Sequence, residues 1–423
     1  MKTKITLIAS LLLVLSFQSK AQDVVNLTTT DNIVTVLSAQ TGSNIVLVVP
    51  SGYTNPQGIN SIDLSLMPIS ITKLTLKGDG TKPTFKIKTL LIPASLSSSI
   101  KFQDLNIIGG DETAPASNYV LNNPAANAIP VVDTVAFNNC NIANCRGIVR
   151  LQTSGTTYKN IVINNCIMSN IVDYGLVTTA AGSVITNLTI SKSTIYGMPS
   201  TVLNVAAGTA LSTLTISDCT FDNMVNTAGK YLIDLGASNT TTVLNISNTI
   251  VGKNLNLATT GAKGIRGGTG FTYTVSNSYT TSDWVTTGNA LVGFTAYANP
   301  STSLFKTPTV YNSTAPQTTT VGDYKIIDTN FAAKNSAGDP RWYFDAVTAL
   351  NDPKTSNISI TCSDGTLNLS EMTNVKLFSL SGQLVRTAEL TNSVLLSDLS
   401  KGIYIAKAGT ECKGFSIQKF IIK

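Results

Sequence analysis

Apolar and polar positions alternate through the middle of the chain in a pattern that returns again and again. The copies are Val135-Ala-Phe137-Asn-Asn-Cys140-Asn-Ile142, Ile161-Val-Ile163-Asn-Asn-Cys166-Ile-Met168, Leu188-Thr-Ile190-Ser-Lys-Ser193-Thr-Ile195, Leu214-Thr-Ile216-Ser-Asp-Cys219-Thr-Phe221, Leu244-Asn-Ile246-Ser-Asn-Thr249-Ile-Val251 and Tyr273-Thr-Val275-Ser-Asn-Ser278. They begin 26, 27, 26, 30 and 29 residues apart, and an earlier copy starts at Ile100. Alternation, two polar residues, then alternation again predicts strand, sharp bend, strand. A third short apolar run lies between copies, at Ile148 to Leu151, Leu176 to Thr179, Val202 to Val205 and Tyr231 to Leu235. No single unit is long enough to bury its own apolar side, but stacked units bury it jointly. The pattern predicts an all-β protein, a right-handed parallel β-helix with three strands per turn.

The second bend position reads Asp104, Asn139, Asn165, Lys192, Asp218, Asn248 and Asn277. Asn and Asp tolerate a left-handed backbone, and stacked amides can bond along the column. The column is therefore expected to be a structural ladder, with Lys192 an unexplained departure. Before it, Ile33 to Leu37, Ile45 to Val49 and Ile71 to Leu76 read as strands of the opening turns. Residues 284 to 345 hold Trp284 and Trp342 and are expected to close the far end. The resulting division is 1–21 signal peptide, 22–345 β-helix, 346–357 linker and 358–423 a small antiparallel β-sandwich.

Composition narrows the chemistry. Charged residues are only 12% of the 423, and there is no histidine. That excludes a protein imidazole as base, acid or metal ligand. Lys2, Lys4, the apolar run to Phe17 and Ser19-Lys20-Ala21 read as a secretory signal. Its removal would lower the formal charge from +6 to +3. No basic run with interleaved aromatics is present, so nucleic acid is not an expected partner. No cofactor or metal is expected, since CxxC spacing is absent. Cys140, Cys166 and Cys219 fall in one inward column, Cys145 has no evident partner, and Cys362 and Cys412 bracket the terminal segment as a candidate disulfide.

The third strand offers the candidate groove. If its apolar residues point inward, Arg150, Thr178, Asn204 and Asp234 point outward in one row, extended by Arg266. Asp234 and Arg266 would sit on neighbouring rungs and pair. The row suits an acidic sugar held by arginine. It also suits a solvated strand face. Paired-carboxylate hydrolysis needs two facing acids, and the row has only Asp234.

Two stretches resemble known families. Val375-Lys-Leu-Phe, Leu380-Ser-Gly382-Gln-Leu-Val385, Leu399-Ser-Lys-Gly402-Ile-Tyr404 and Lys419-Phe-Ile-Ile-Lys423 resemble the C-terminal sorting domain of type IX secretion cargo. That resemblance implies outer-membrane secretion machinery as a partner and a place on the cell surface or outside it. The body resembles pectin-lyase-like β-helix domains, and is similar to domains of unknown function 4957 and 5123. Ala337-Gly338-Asp339-Pro340-Arg341-Trp342 resembles the closing signature of the second. These families imply a fold and an association with polysaccharide-degrading bacteria, and no catalytic residues. The expectation is a monomeric, non-catalytic β-helix that binds or displays toward acidic polysaccharide. The alternative is a polysaccharide lyase acting on uronates by Arg- or Lys-assisted β-elimination.

Overall fold

A computed structural model of the chain describes residues 22–56, 60–110, 114–123, 129–225, 229–255, 262–308, 322–345, 358–363, 365–380, 382–410 and 414–422. The signal segment, the 346–357 linker and Cys412 lie outside these residues, and Cys362 is an exposed free thiol rather than half of the candidate disulfide. The chain divides into two compact units, with the division between Ala346 and Val347.

The first unit is a parallel β-solenoid. Ten strands stack in parallel to form its first sheet, from Asp23–Asn26 to Tyr273–Ser276. The second and third strand positions merge into one sixteen-stranded sheet. They merge because Asn141–Leu151 and Ile167–Thr179 turn the corner without leaving the ladder. Register follows the repeat residue for residue: Val135 faces Ile161, Ile161 faces Leu188, and Leu188 faces Leu214. Inward residues form continuous columns with almost no exposure, and the rings of Phe102 and Phe137 stack at 4.8 Å on adjacent rungs. Stacking like this buries each rung's apolar side against its neighbours, which is the main stabilising term of the rod.

The bend column has left-handed backbone at every position, φ running from 43° at Asn277 to 55° at Asn165. Asn139 Nδ2 donates to Asp104 Oδ1 at 2.7 Å, and Asn165 Nδ2 to Asn139 Oδ1 at 3.2 Å. Past Lys192 the chain of bonds resumes, from Asn248 to Asp218 and from Asn277 to Asn248, both at 2.9 Å. The inward position after each bend is also uniform. Cys140, Cys166, Ser193, Cys219, Thr249 and Ser278 each donate to the carbonyl two residues earlier. The repeat asks there for a small buried donor, and the cysteines meet that demand as free thiols.

A second left-handed column was not anticipated. Asn144, Asn170, Gly197 and Asn223 lie five residues beyond successive bend residues, with φ between 51° and 61°. Asn170 Nδ2 donates to Asn144 Oδ1 at 2.7 Å, in a fully buried corner.

Two other expectations are corrected. Ile33–Ser38 is a helix, not a strand. Asn32 caps it by accepting from the amides of Val34 and Thr35, and Ile33 and Leu37, four apart, put one buried face onto the rod. Residues 284 to 345 do more than close the far end. Thr286–Gly288 and Thr295–Ala296 add the last rung. The chain then folds back along the outer face of the second strand position. There Leu304, Phe305, Tyr324, Ile326 and Phe331 pack with Tyr196 and Ile250.

The closing signature latches this flank. Asp339, 1% exposed, accepts from Thr194 Oγ1 at 2.7 Å, and its amide donates to Thr220 Oγ1 at 3.0 Å. Trp342 Nε1 donates to Thr194 Oγ1. Gly338 has φ +87°, and a Cβ there would stand 2.9 Å from Thr220 Oγ1, so only glycine fits. Arg341 pairs with Asp339, then donates to Asn165 Oδ1 at 2.6 Å and to the Lys192 carbonyl at 3.3 Å. That arginine stands where the missing amide of the bend column would be, which accounts for Lys192.

The second unit is one five-stranded antiparallel sheet, in the order Ile360–Ser363, Thr366–Ser379, Gly402–Thr410, Gly414–Ile422, with Leu384–Leu395 also on Thr366–Ser379. It is a single bent sheet rather than two facing layers, and it closes on Leu367, Val375, Leu377, Ala406 and Ala408. Gly382 takes the left-handed hairpin position at φ +84°. Gly402 opens the strand in which Tyr404 stacks on Phe420 and donates to the Ser400 carbonyl. Lys419 is exposed opposite Ile405.

Candidate functional site

The third strand position brings the candidate row into register. Arg150 faces Thr178, Thr178 faces Asn204, Asn204 faces Asp234, and Asp234 faces Arg266. Asn122 extends the row by one rung, opposite Arg150. The residues just before them, from Leu121 through Val149, Val177, Leu203 and Ile233 to Ile265, are buried. Strand alternation therefore turns the polar set outward. Thr178 is the exception to a solvated row, at 6% exposure. From Arg150 to Arg266 is four rungs, about 19 Å along the axis at the usual strand spacing.

At the later end, Arg266 grips Asp234 with both edges. Nε donates to Oδ1 at 2.7 Å and Nη2 to Oδ2 at 2.6 Å. The Gly236 amide also donates to Oδ1. The bond to Asp234 holds the guanidinium above its ordinary value, against the opposing effect of burial. The Arg266 guanidinium and the Lys263 ammonium both lie over the Tyr231 ring, at 4.8 and 5.2 Å.

The earlier end carries a second nest of cations on tyrosine. Tyr119 and Tyr174 lie nearly parallel, 6.1 Å apart. The Arg150 guanidinium stands 5.1 Å from one ring and 5.2 Å from the other. Arg146 stands 4.5 Å from Tyr174 and donates to Asp173 at 2.9 Å. Burial pushes the Tyr119 phenol up to about 12, with Arg150 and Arg146 pulling the other way. Its Oη is buried with no hydrogen-bond partner, and so is Asn122 Oδ1. Among the described residues Arg150 has no carboxylate partner, and neither has Lys263.

The row itself was legible in the sequence. Tyr119, Arg146, Asp173, Tyr174, Tyr231 and Lys263 were not assigned to it. The available signal was a tyrosine or cation three to four residues ahead of a row position, at Tyr119, Arg146, Tyr174, Tyr231 and Lys263. Among the described residues no group of three or more Cys, Asp or Glu side chains could hold a metal ion. Two buried carboxyls lie away from the row. Burial pushes Asp339 up to about 6 against Arg341, and Asp222 up to about 7 against Lys253. Both serve the covered face rather than the row.

Comparison with known proteins adds two matches. Residues 61–198 match a domain of unknown function, DUF4957. Residues 352–423 match the secretion system C-terminal sorting domain. The chain thus carries the address of the type IX system, which delivers proteins across the outer membrane to the cell surface or the extracellular space. No curated protein matches the chain.

Proposed function

We propose that this protein is an exported β-solenoid that holds extracellular polysaccharide on the outer face of its third strand position without cutting it. The observation that supports the reading is how the face uses its charges. Asp234 accepts three bonds from Arg266 and Gly236, and Asp173 is paired with Arg146. Neither carboxylate is free to act as an acid or base, whereas general catalysis needs one within reach of the substrate proton. What remains is a polar strip between two tyrosine–cation nests, led by the Asn204 amide, with the Thr178 hydroxyl largely covered beside it. Such a strip offers both donors and acceptors to sugar hydroxyls.

The lyase reading rests on Arg150 as a cation free of carboxylates. An arginine side chain stays protonated in proteins, so it neutralises a neighbouring acid better than it removes a proton. Affinity electrophoresis of the secreted protein through gels containing individual polysaccharides tests binding. Parallel incubations, followed by reducing-end and ultraviolet-absorbance assays, test cleavage. Retardation with no new ends or double bonds is the expected result. Cleavage would replace the binding reading with the lyase, and mobility unaffected by every polysaccharide would remove both.

A further inference from the structure

The two nests differ in one respect that points to the ligand's charge. On the third-strand face Arg146 and Arg266 are each neutralised by a carboxylate at hydrogen-bond distance. Arg150 and Lys263 are not, and each is held in place by a tyrosine ring instead of a counter-ion. A cation on an aromatic face keeps its full charge while losing part of its water, so it is poised to accept an anion. Lys263 faces Tyr231 in the ladder, four rungs beyond Arg150. The gap between the two is spanned by Thr178, Asn204 and the closed Asp234–Arg266 pair. Near Arg150 a buried phenol and a buried amide oxygen, Tyr119 Oη and Asn122 Oδ1, lack protein partners.

We infer that this face binds a linear acidic glycan lying along the rod axis, with one oxyanion on Arg150 and another on Lys263. The inference rests on the polysaccharide-binding reading above and adds the charge and the contact residues. Two cations without a carboxylate partner, about 19 Å apart along the axis, suit a chain that carries acid groups at both points. Nucleic acid would call for a continuous basic stripe.

The test uses the full secreted chain and four polymers: polygalacturonate, its fully methyl-esterified form, a sulfated carrageenan and single-stranded DNA. Binding to polygalacturonate or carrageenan, weakened by salt and absent from the ester, is expected. Whichever acidic polymer binds identifies the oxyanion as carboxylate or sulfate. Arg150→Ala and Lys263→Gln should each weaken that binding about fivefold or more, and Arg150→Lys should restore most of it. Lys263→Gln removes only the ammonium's contact with the Tyr231 ring, so it decides the matter if Arg150→Ala fails to fold. Equal affinity for acid and ester would overturn the charge inference and leave glycan binding standing. Failure to bind any of the sugars would overturn both. Wild-type affinity in the two charge-removing variants, or equal binding of DNA, would overturn the site.

Discussion

Two outer faces of one rod, built from the same repeat, are finished in opposite ways. On the second strand position the returning flank covers the rungs from Tyr196 to Tyr279, and the polar groups of its closing signature find partners within the protein. Asp339 is bonded by Thr194 and Arg341, and Arg341 reaches on to Asn165 and Lys192. On the third strand position no such flank is laid down among the described residues, where Arg150 and Lys263 rest on tyrosine rings and neither pairs with a carboxylate. The difference separates two uses of an arginine. Removing Arg341 would break an internal seam, whereas removing Arg150 would change a surface available to something else. A buried polar group without its partner costs far more than an exposed one, so the two faces should respond to mutation on different scales.

The largest effect should come from the seam. Asp339→Ala deletes a buried acceptor and strands Thr194 and Arg341, so it should cost about 3 kcal/mol. Denaturant unfolding measures the loss, and limited proteolysis should then cut first between 297 and 345. A variant as stable and as resistant as the parent would show that the flank is held by its apolar contacts alone.

pH should act on the same face. Asp339 and Asp222 have folded values near 6 and 7, above the ordinary 3.8, because burial disfavours their charged forms. The folded chain therefore keeps protons that the unfolded chain releases, so the carboxyls' contribution is fully present below about pH 4 and is lost as pH rises toward about 7. The fall should be on the order of 7 kcal/mol at most, and Asp222→Asn should remove the larger part of it. Lys253 and Asp283, the charged groups acting on Asp222, pull in opposite directions. Stability that is flat between pH 4 and 7 in thermal scans would mean that these carboxyls are not buried as described.

At the edge where flank and rod meet, Asn165→Leu should cost about 1–2 kcal/mol. It places a branched side chain on left-handed backbone and takes the acceptor from Arg341. The smallest change belongs to Lys159→Ala. Its pair with Asp133 is half exposed on both sides, and its loss should shift stability by less than about 0.5 kcal/mol.

The repeat made the rod readable, because a residue type returning every turn reports its own environment. The bend column, the register of the row from Arg150 to Arg266 and the inward column of Cys140, Cys166 and Cys219 were all visible for that reason. Features that occur once were not. The flank has no periodicity, and the residue that completes the bend column, Arg341, lies 149 positions from Lys192. The helix at Ile33–Ser38 was masked by β-branched residues, whose strand preference yields to the Asn32 cap and the packing of Ile33 and Leu37. The Asn144, Asn170 and Asn223 column did repeat and was overlooked, because glycine at 197 broke its identity while keeping its conformation. The tyrosine–cation nests need contacts across rungs, which spacing along the chain does not supply.

Affinity electrophoresis in polygalacturonate with Arg150→Ala and Arg341→Ala, run beside the parent protein under native conditions, sets the two faces against each other directly. If the account holds, Arg150→Ala is retarded much less than the parent, while Arg341→Ala, though less stable, is retarded as strongly as the parent. Parent-like retardation of Arg150→Ala together with free migration of a folded Arg341→Ala would place the ligand on the covered side and contradict the account.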